Sequence, residues 1–516
     1  MPSTTDSPAT LWDLVEHAAR LSPGATAVRH GVRALTFREL ADRVQAAAER
    51  LRTRLPPGDA TVGLLFENTL EGAVAFLAAL RAGVPLTPLE PDSAESHLLG
   101  VHGDLGPLHL IGRQTRLRTL CPPGTGSPEG WRGGVLVDVH ELTARPGAQT
   151  GPAPAPLPAP PAEALYHYTS GSTGEPRAAV HSQQDLVRGG EIYVHTYGIT
   201  PADRILAAVP LLHSFGMVAA LTAALHARAE LVLLGRFAPA DMLRTARQHA
   251  CTIVVGTPLA YDLAARSAAS GRETSRLSDT VRLCLSSGAA LPPAVADRFA
   301  EHCGPAVQQV YGSTEAGVVA AQLPQPDGAA DAGVGRPVRG VRIRLVDEED
   351  RPVPPGGTGA LLVRTPAMFT RYLGPPEPSE RAFRDGWYVT GDMARLDGEG
   401  RLHLVGRKDS FINVGGKKVN PLEVEAVLLA HPAVAEAVVW GELVEEQTSE
   451  RVRAAVVPRS PLSGAELAAH CRDRLLAHQV PARIEFVASL PKTSLGKVRR
   501  AAVAGTAAAG HREGPA

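Results

Sequence analysis

Several features are scarce in this sequence of 516 residues, and each scarcity argues against a class of protein. Lys and Arg number 52 against 53 Asp and Glu, so no excess of one charge recruits nucleic acid or a membrane surface. The most apolar early stretch, AVAFLAAL at 73–80, is far shorter than the ~20 residues of a spanning helix. The N-terminus shows no secretory signal. We therefore expect a cytoplasmic globular protein that binds neither nucleic acid nor membrane, with its oligomeric state open.

Cysteine is also scarce, and its pattern favours free thiols. The five cysteines are an odd number, lie far apart and include no C-x-x-C pair. Such a pattern is typical of core thiols in a reducing compartment rather than of a disulfide framework or a zinc site. The cysteines are Cys121, Cys251, Cys284, Cys303 and Cys471.

Lysine is the scarcest basic residue, with five lysines against 47 arginines. All five lie beyond residue 400, at Lys408, Lys417, Lys418, Lys492 and Lys497. Chance can produce this distribution, because five is a small number. The alternative is a need for a compact ammonium on a flexible stem, for which a planar guanidinium does not substitute.

The first 400 residues alternate helical and strand patterns. The stretch at 35–51 predicts a helix that opens with a capping box of Thr36 and Glu39. ATVGLLF at 60–66 predicts a buried strand, and the segment at 70–83 predicts a helix that Gly83 ends. Further strands that end in small-residue loops are predicted at 252–258, 282–291 and 306–317. Repeated units of this kind imply parallel sheets covered by helices, with ligands beyond the carboxyl ends of the strands.

After residue 338 the pattern changes to short alternating strands, and DGEG at 397–400 predicts a hairpin turn. Asn420 as N-cap and Pro421 at the first helical position open a helix in a smaller α+β unit. We therefore expect an α/β chain with a large domain at 1–408 that includes a short-strand β subdomain. A small mobile α+β domain at 409–501 and a disordered tail at 502–516 complete the prediction.

The strongest motif is YTSGSTGEPR at 168–177, which follows an apolar strand. Its glycines let the backbone turn back on itself, so that N–H and O–H groups can surround a polyphosphate. It is not a Walker loop, because the spacing G-x-x-x-x-G-K-[ST] is absent. Alone, the pattern is equally typical of a solvated turn. The candidate phosphate-binding residues are Thr169, Ser170, Gly171, Ser172, Thr173 and Gly174.

Four further segments follow this motif: SSGAALP at 286–292, YGSTEAG at 311–317, the stretch at 386–409 that contains TGD, and PKTSLGK at 491–497. The five motifs, in this order, resemble those of the adenylate-forming superfamily. That superfamily groups acyl-CoA synthetases, peptide-synthetase adenylation domains and luciferases. The resemblance runs from about residue 10 to about residue 500 and is nearest in style to acyl-CoA synthetases.

The resemblance implies a two-step reaction. A carboxylate attacks the α-phosphorus of ATP, pyrophosphate leaves, and a nucleophile then takes the acyl group from the adenylate and releases AMP. Lys497 matches the family lysine that bridges the carboxylate and the α-phosphate, where two anions must meet. Glu315 resembles the Mg²⁺ ligand, and Thr314 would contact the α-phosphate.

The resemblance also implies which residues would hold the nucleoside and which would take part in the second step. Tyr311 and the backbone of Gly288, Ala289 and Ala290 would border the adenine, while Asp392 and Arg407 would hold the ribose. Asp409 falls at the family hinge, about which the small domain is thought to turn between the two steps. Gly415 and Gly416 would let a pantetheine thiol approach the backbone closely.

One departure concerns the end of the phosphate motif, which reads GEPRA where the family pattern is G-x-P-K-G. Arg177 keeps the positive charge and can grip phosphate oxygens bidentately, whereas Ala178 replaces a glycine and could stiffen the loop. The departure leaves a second hypothesis open, a nucleotide-binding scaffold without turnover.

The acyl pocket is predicted from PLLHSFGMVAAL at 210–221. Peptide-synthetase relatives have an Asp here that holds the substrate α-ammonium, but this chain has His213 and Ser214 and no Asp. An α-amino acid would then lack its counter-ion. Apolar and small residues favour an aromatic or a medium-length aliphatic acid, and the candidates are His213, Ser214, Phe215, Met217, Gly256, Gly288, Gly312, Val318 and Val319.

The sequence therefore predicts an ATP-dependent carboxylic acid:CoA ligase that uses Mg²⁺. The alternatives keep adenylation and change the acceptor, either to the phosphopantetheine of an acyl carrier protein or to an amine that yields an amide.

Overall fold

The structure is a computed structural model of the chain. It describes residues 8–56, 61–106, 108–120, 134–146, 162–170, 176–269, 276–325, 333–414, 417–443, 450–492, 498–500 and 502–503.

Strands form within the segments predicted at 60–66, 252–258, 282–291 and 306–317, and the structure adds many that the sequence analysis did not name. In chain order they are β1 (Thr26–His30), β2 (Arg33–Thr36), β3 (Thr61–Leu65), β4 (Leu86–Leu89), β5 (Leu108–Gly112), β6 (Leu136–Asp138), β7 (Leu165–Ser170), β8 (Pro176–His181), β9 (Arg204–Ala207), β10 (Glu230–Leu233), β11 (Ile253–Gly256), β12 (Leu283–Ser286), β13 (Val307–Ser313), β14 (Gly317–Ala321), β15 (Arg336–Pro337), β16 (Arg342–Val346), β17 (Thr358–Arg364), β18 (Arg371–Tyr372), β19 (Phe383–Arg384), β20 (Trp387–Leu396), β21 (Leu402–Arg407), β22 (Ile412–Val414), β23 (Lys417–Val419), β24 (Val434–Leu443), β25 (Glu450–Pro458) and β26 (Arg483–Phe486).

The helices alternate with these strands. They are α1 (Leu11–Leu21), α2 (Phe37–Arg54), α3 (Leu70–Arg81), α4 (Glu95–Leu105), α5 (Gln114–Leu120), α6 (Val139–Leu142), α7 (Gln183–Tyr197), α8 (Ala223–Ala227), α9 (Pro239–Gln248), α10 (Pro258–Ala269), α11 (Pro293–His302), α12 (Pro376–Ala382), α13 (Pro421–Leu429) and α14 (Gly464–Arg472), with a π-helix at Gly216–Thr222 and a 3₁₀ turn at Lys408–Ser410.

The predicted helix starts are confirmed, because the capping side chains make the expected hydrogen bonds. Thr36 and Glu39 form a reciprocal capping box at the start of α2. The Asn420 side chain accepts a hydrogen bond from the Leu422 N–H at the start of α13, with Pro421 at the first helical position. Gly83, just past α3, has φ 72, a conformation that favours glycine.

The described residues form two compact units. The first comprises the described residues up to 170 together with 176–342 and 364–386, and the second comprises 343–363 and the described residues from 387 onward. The domain boundary that the sequence predicts near residue 408 lies inside the second unit and stays a prediction.

The first unit contains two large sheets with parallel centres. One has the strand order β15-β14-β13-β12-β11-β9-β10-β1-β2, and the other has the order β18-β8-β7-β4-β3-β5-β6. Antiparallel strands occur only at the ends of these orders, among the pairs that the described residues form. Helices α9, α10 and α11 cover part of the first sheet, where Tyr261 and Phe299 are fully buried. The predicted α/β class is confirmed.

The second unit is built from shorter pieces. Strands β17, β20 and β21 pair antiparallel, and the predicted hairpin turn at 397–400 joins β20 to β21. Strands β24, β25 and β26 form a separate sheet, and α13 and α14 pack on it through Val424, Leu428 and Leu467. Val503 is also buried, beside Trp440, whereas residues 504–516 of the predicted tail lie outside the described residues.

Two predictions about composition can be compared with the structure. Four of the five cysteines are buried free thiols, which confirms the prediction for them, and Cys121 lies outside the described residues. No helix in the described ranges has the length and apolar character needed to cross a membrane.

Candidate active site

The predicted segments that end β11, β12 and β13 lie at one edge of the nine-stranded sheet. Strands β11, β12 and β13 are parallel neighbours, with Gly256 opposite Ser286 and Ser286 opposite Gln309. The segment that follows β12 therefore leaves the sheet at the same edge as the end of β13. Gly288 has φ 89, so only a residue without Cβ fits that turn comfortably. The predicted adenine-site residues Ala289 and Ala290 follow it directly.

The YGSTEAG segment forms a rigid hairpin between β13 and β14. A Cβ on Gly312 would collide with the carbonyl oxygen of Gly317, and Gly317 itself has φ 67. The Ser313 hydroxyl accepts a hydrogen bond from the Ala316 N–H at 3.1 Å. Thr314 and Glu315 are thus held at the tip of a hairpin that admits little backbone movement.

The carboxylate of Glu315 is the meeting point of three segments of the first unit. Its Oε1 accepts a hydrogen bond from the Tyr372 hydroxyl at 3.0 Å and another from the Thr169 hydroxyl at 3.4 Å. Its main-chain oxygen accepts from the Phe369 N–H at 2.8 Å. Glu315 is only 9% exposed, and these hydrogen bonds satisfy a carboxylate that is otherwise costly to bury.

Arg177 lies next to this carboxylate network. Strands β7 and β8 pair so that Thr169 is opposite Arg177, and the Arg177 guanidinium carbon lies 5.8 Å from the centre of the Tyr372 ring. The turn between the two strands and the side chain of Ser170 lie outside the described residues. The roles of Gly171, Ser172, Thr173 and Gly174 therefore stay predictions.

The predicted acyl segment contacts the β13–β14 hairpin. The Ser214 and Thr314 hydroxyl oxygens are 3.5 Å apart. Directly after Ser214 and Phe215 the chain enters the π-helix, and a Cβ on Gly216 would collide with the Pro210 carbonyl oxygen. Such π-helical turns occur frequently at functional sites.

Three histidines, of which His167 and His181 are buried and His213 is partly buried, lie near this region, and desolvation lowers the pKa of each. Burial lowers the pKa of His213, although Glu90, whose Oε1 lies 3.5 Å from Nε2 of His213, opposes the shift. Burial lowers the pKa of His167 to about 3, and the charges of His213 and His181 act in the same direction. Burial also lowers the pKa of His181, which hydrogen-bonds to the main chain of Thr314. At neutral pH these side chains are polar but uncharged.

Other residues of the predicted acyl pocket lie on β14, in the π-helix and at the end of β11. Val319 and Val318 are buried on β14, and Met217 is buried in the π-helix. A Cβ on Gly256 would touch the Tyr261 ring at 3.3 Å, so that position has no room for a larger side chain.

In the second unit, the two predicted ribose residues form a pair. Asp392 and Arg407 are opposite each other on β20 and β21, and the Arg407 guanidinium lies 3.6 Å from Asp392 Oδ1. Gly391 has φ 77, and a Cβ there would meet the Arg407 guanidinium at 2.7 Å. The missing side chain of Gly391 therefore lets the two groups approach.

The other predicted residues of this unit are not placed by the structure. Lys497, Gly415 and Gly416 lie outside the described residues, so their roles stay predictions. Asp409 belongs to the 3₁₀ turn after β21, and its side chain lies outside the described part of the chain.

Sequence reasoning missed Tyr372, His167 and His181. Both histidines flank the phosphate motif in the printed sequence, but nothing in their spacing indicates that they meet Thr314 or His213. Tyr372 lies 57 positions from Glu315, on a strand of two residues, and no local pattern predicts their contact.

The chain matches two family profiles. Residues 15–373 match the AMP-binding enzyme family, and residues 423–497 match the AMP-binding enzyme C-terminal domain. Oxalate–CoA ligase from Arabidopsis thaliana is 30% identical over 520 residues, which cover 96% of this chain and 98% of the relative. Feruloyl-CoA synthase from an Amycolatopsis species is 33% identical over 489 residues, which cover 94% and 96%. Among solved structures, ATP-bound MatB from Rhodopseudomonas palustris superposes with a TM-score of 0.86 at 25% identity and covers 97% of this chain and 99% of that one.

Proposed function

This chain belongs to the AMP-binding enzyme family, and we propose that it adenylates a small monocarboxylic acid with an uncharged tail and passes the acyl group to coenzyme A. It is an AMP-forming acid–thiol ligase that depends on ATP. The observation that supports the proposed adenylation site is the convergence on one hairpin of Thr169, Ser214 and Tyr372, which contact Glu315 or Thr314. These residues come from separate segments of the chain, as an active site assembled around one nucleotide requires.

Adenylation brings a carboxylate to the α-phosphorus of ATP and releases pyrophosphate. We assign Thr314 to the α-phosphate, since the hairpin fixes its position. Lys497 would lie between the two anions as the mobile ammonium, and Arg177 would face the pyrophosphate. Arg177 is a cation at the position where the family pattern has lysine, so the departure at GEPRA retains the charge that the leaving group needs.

Glu315 suits a magnesium ion that accompanies the nucleotide. Hard carboxylate oxygen is the ligand that Mg²⁺ prefers, and Mg²⁺ is usually held by one or two carboxylates together with substrate phosphates and water. Both hydroxyl hydrogen bonds to Glu315 use Oε1. When bound, the ion would neutralise charge on the phosphate oxygens.

We assign the nucleoside to the residues that the resemblance implies for it. We assign the adenine to Tyr311 and the backbone at Gly288, Ala289 and Ala290, and the ribose to Asp392, whose two carboxylate oxygens can accept from both hydroxyls. Arg407, which lies beside Asp392, would orient that carboxylate.

The predicted acyl pocket suits a substrate acid that carries a single carboxylate. Among the predicted pocket residues, none carries a positive charge, and His213 is kept neutral by burial with the Glu90 carboxylate 3.5 Å away. A second carboxylate or a sulfonate on the substrate would lack a counter-ion there and would be repelled by Glu90. Neutral aromatic and medium-length aliphatic tails both suit this pocket.

The test is a product analysis with a panel of acids. The protein is incubated with ATP, Mg²⁺ and either CoA or a phosphopantetheine-bearing carrier protein, and thioesters are identified by mass spectrometry. We expect aryl or aliphatic monocarboxylic acids to give acyl-CoA, and the matched dicarboxylic acids to give at least about tenfold less, the effect of one missing charge partner. Preferred use of dicarboxylic acids would contradict the substrate proposal. Acylation of the carrier protein, or formation of an amide with an added amine, would contradict the proposal that coenzyme A is the acceptor.

A further inference from the structure

The hydroxyl of Tyr372 meets the proposed magnesium ligand directly. We propose that Tyr372 is a positioning residue that fixes the Glu315 carboxylate for the metal that accompanies ATP. This inference rests on the proposed function, because it concerns the same site.

The contact has the geometry of an orienting hydrogen bond. The Tyr372 hydroxyl donates to Oε1 of Glu315 at 3.0 Å, and the Thr169 hydroxyl approaches the same oxygen at 3.4 Å. No residue in the described ranges donates to Oε2. Among the described residues, both side-chain donors thus bind the same carboxylate oxygen, which fixes the orientation of the carboxylate. Partners that orient a metal ligand in this way typically contribute ten- to a hundredfold to metal affinity.

The tyrosine itself is held firmly, as a positioning role requires. Tyr372 is 8% exposed, and its strand β18 pairs with β8 so that Tyr372 is opposite Ala179. The Tyr372 N–H donates to the Ser379 hydroxyl at 3.0 Å, and the Phe369 ring packs edge-on at a centroid distance of 4.8 Å. The hydroxyl therefore has a fixed position before any ligand arrives.

Arg177 connects this tyrosine to the phosphate motif. Its guanidinium carbon lies 5.8 Å from the Tyr372 ring centre, within the range of cation–π attraction. A planar guanidinium can rest on an aromatic ring, which a lysine ammonium does less well. In this chain the unusual arginine and the metal ligand therefore contact the same side chain.

The test compares Tyr372→Phe with a matched control, Tyr166→Phe. The first change removes the hydroxyl and keeps the ring packing. The control also removes a tyrosine hydroxyl that binds a glutamate, because Tyr166 donates to Glu163 Oε2 at 3.1 Å on the same sheet. Binding of Mn²⁺, as a probe for Mg²⁺, is measured by electron paramagnetic resonance in the presence of a non-hydrolysable α,β-methylene analogue of ATP. Thermal unfolding of each variant monitors folding.

We expect Tyr372→Phe to weaken Mn²⁺ binding at least about tenfold, while the control binds like the wild type. In a Glu315→Gln background the same change should have no further effect, because Tyr372 acts through Glu315. Unchanged Mn²⁺ binding in Tyr372→Phe, or an equal loss in the Glu315→Gln background, would overturn the inference. Failure of the proposed function would instead be visible in the wild type, as absence of acid-dependent pyrophosphate exchange.

Discussion

At the scale of single residues, burial sets the charge of the histidines around the site. His167 is 5% exposed on β7, and burial holds its pKa near 3, well below that of an unfolded histidine. His181 and His213 shift in the same direction for the same reason. These three imidazoles are consequently polar without being cationic.

This shift predicts a loss of stability in mild acid. Below pH ~6.5 the unfolded chain protonates His167, whereas the folded protein does not until about pH 3, so stability falls as the pH drops through that window. Above pH ~6.5 the residue has no effect. At pH ~5 the loss should be about 2 kcal/mol from this residue. Urea titrations at pH ~7.5 and ~5 give the free energy of unfolding at each pH. Between these two values His167→Gln should lose about 2 kcal/mol less unfolding free energy than the wild type. Identical losses would contradict the assignment of a neutral, buried imidazole.

Residue roles could be predicted from the sequence only where a motif carried them. Glu315 and Thr314 were assigned because YGSTEAG resembles a family motif, and the structure brings the Thr169 hydroxyl to within 3.4 Å of the Glu315 carboxylate. Tyr372 was missed, because its contact with Glu315 depends on a two-residue strand that pairs with β8. The pairing of such a short edge strand has no signal in a single sequence.

At the scale of elements, the β13–β14 hairpin carries Thr314 and Glu315, the residues proposed for the α-phosphate and for Mg²⁺. Its backbone passes so close to itself that only glycine fits at 312. Gly312→Ala should force the hairpin apart, cost about 1–3 kcal/mol of stability, and reduce adenylation about a hundredfold through displacement of Thr314 and Glu315.

A matched glycine provides the control for this prediction. A Cβ on Gly100, in α4, would have nothing within 4 Å, so Gly100→Ala should leave activity unchanged and raise stability by about 0.4–1 kcal/mol. Pyrophosphate exchange and thermal unfolding measure both effects. Wild-type exchange in Gly312→Ala would show that the hairpin does not position the site.

Elements themselves were largely predictable, since their signals are local. The capping box at Thr36 and the Asn420–Pro421 start of α13 can be read directly from the sequence, and the structure confirms both. The π-helix at Gly216–Thr222 was not predicted, and neither was the close approach of Gly216 to the Pro210 carbonyl oxygen, which is a contact of the folded chain.

At the scale of the whole molecule, the proposed reaction has two steps, to which we assign different parts of the chain. The parallel strand order of the first unit could be inferred from its repeated strand–helix pattern. The grouping of residues 343–363 with the C-terminal part could not, because compact units are defined by long-range contacts.

The two-step scheme predicts a variant that separates the steps. Gly416→Trp should leave pyrophosphate exchange intact and block thioester formation, because the indole would obstruct the thiol. A tryptophan at Gly398, where a Cβ would have nothing within 4 Å, serves as control and should spare both steps. Equal losses of exchange and thioester formation in Gly416→Trp would count against separate steps.

The most direct test of the account is the exchange of labelled pyrophosphate into ATP by the wild-type protein without CoA. The central claim is that the acid reacts with the α-phosphorus of ATP to form an acyl-adenylate before any thiol takes part. We predict exchange that requires both Mg²⁺ and a monocarboxylic acid and that proceeds in the absence of CoA. Exchange that appears only when CoA is added, or that is independent of the acid, would contradict the claim.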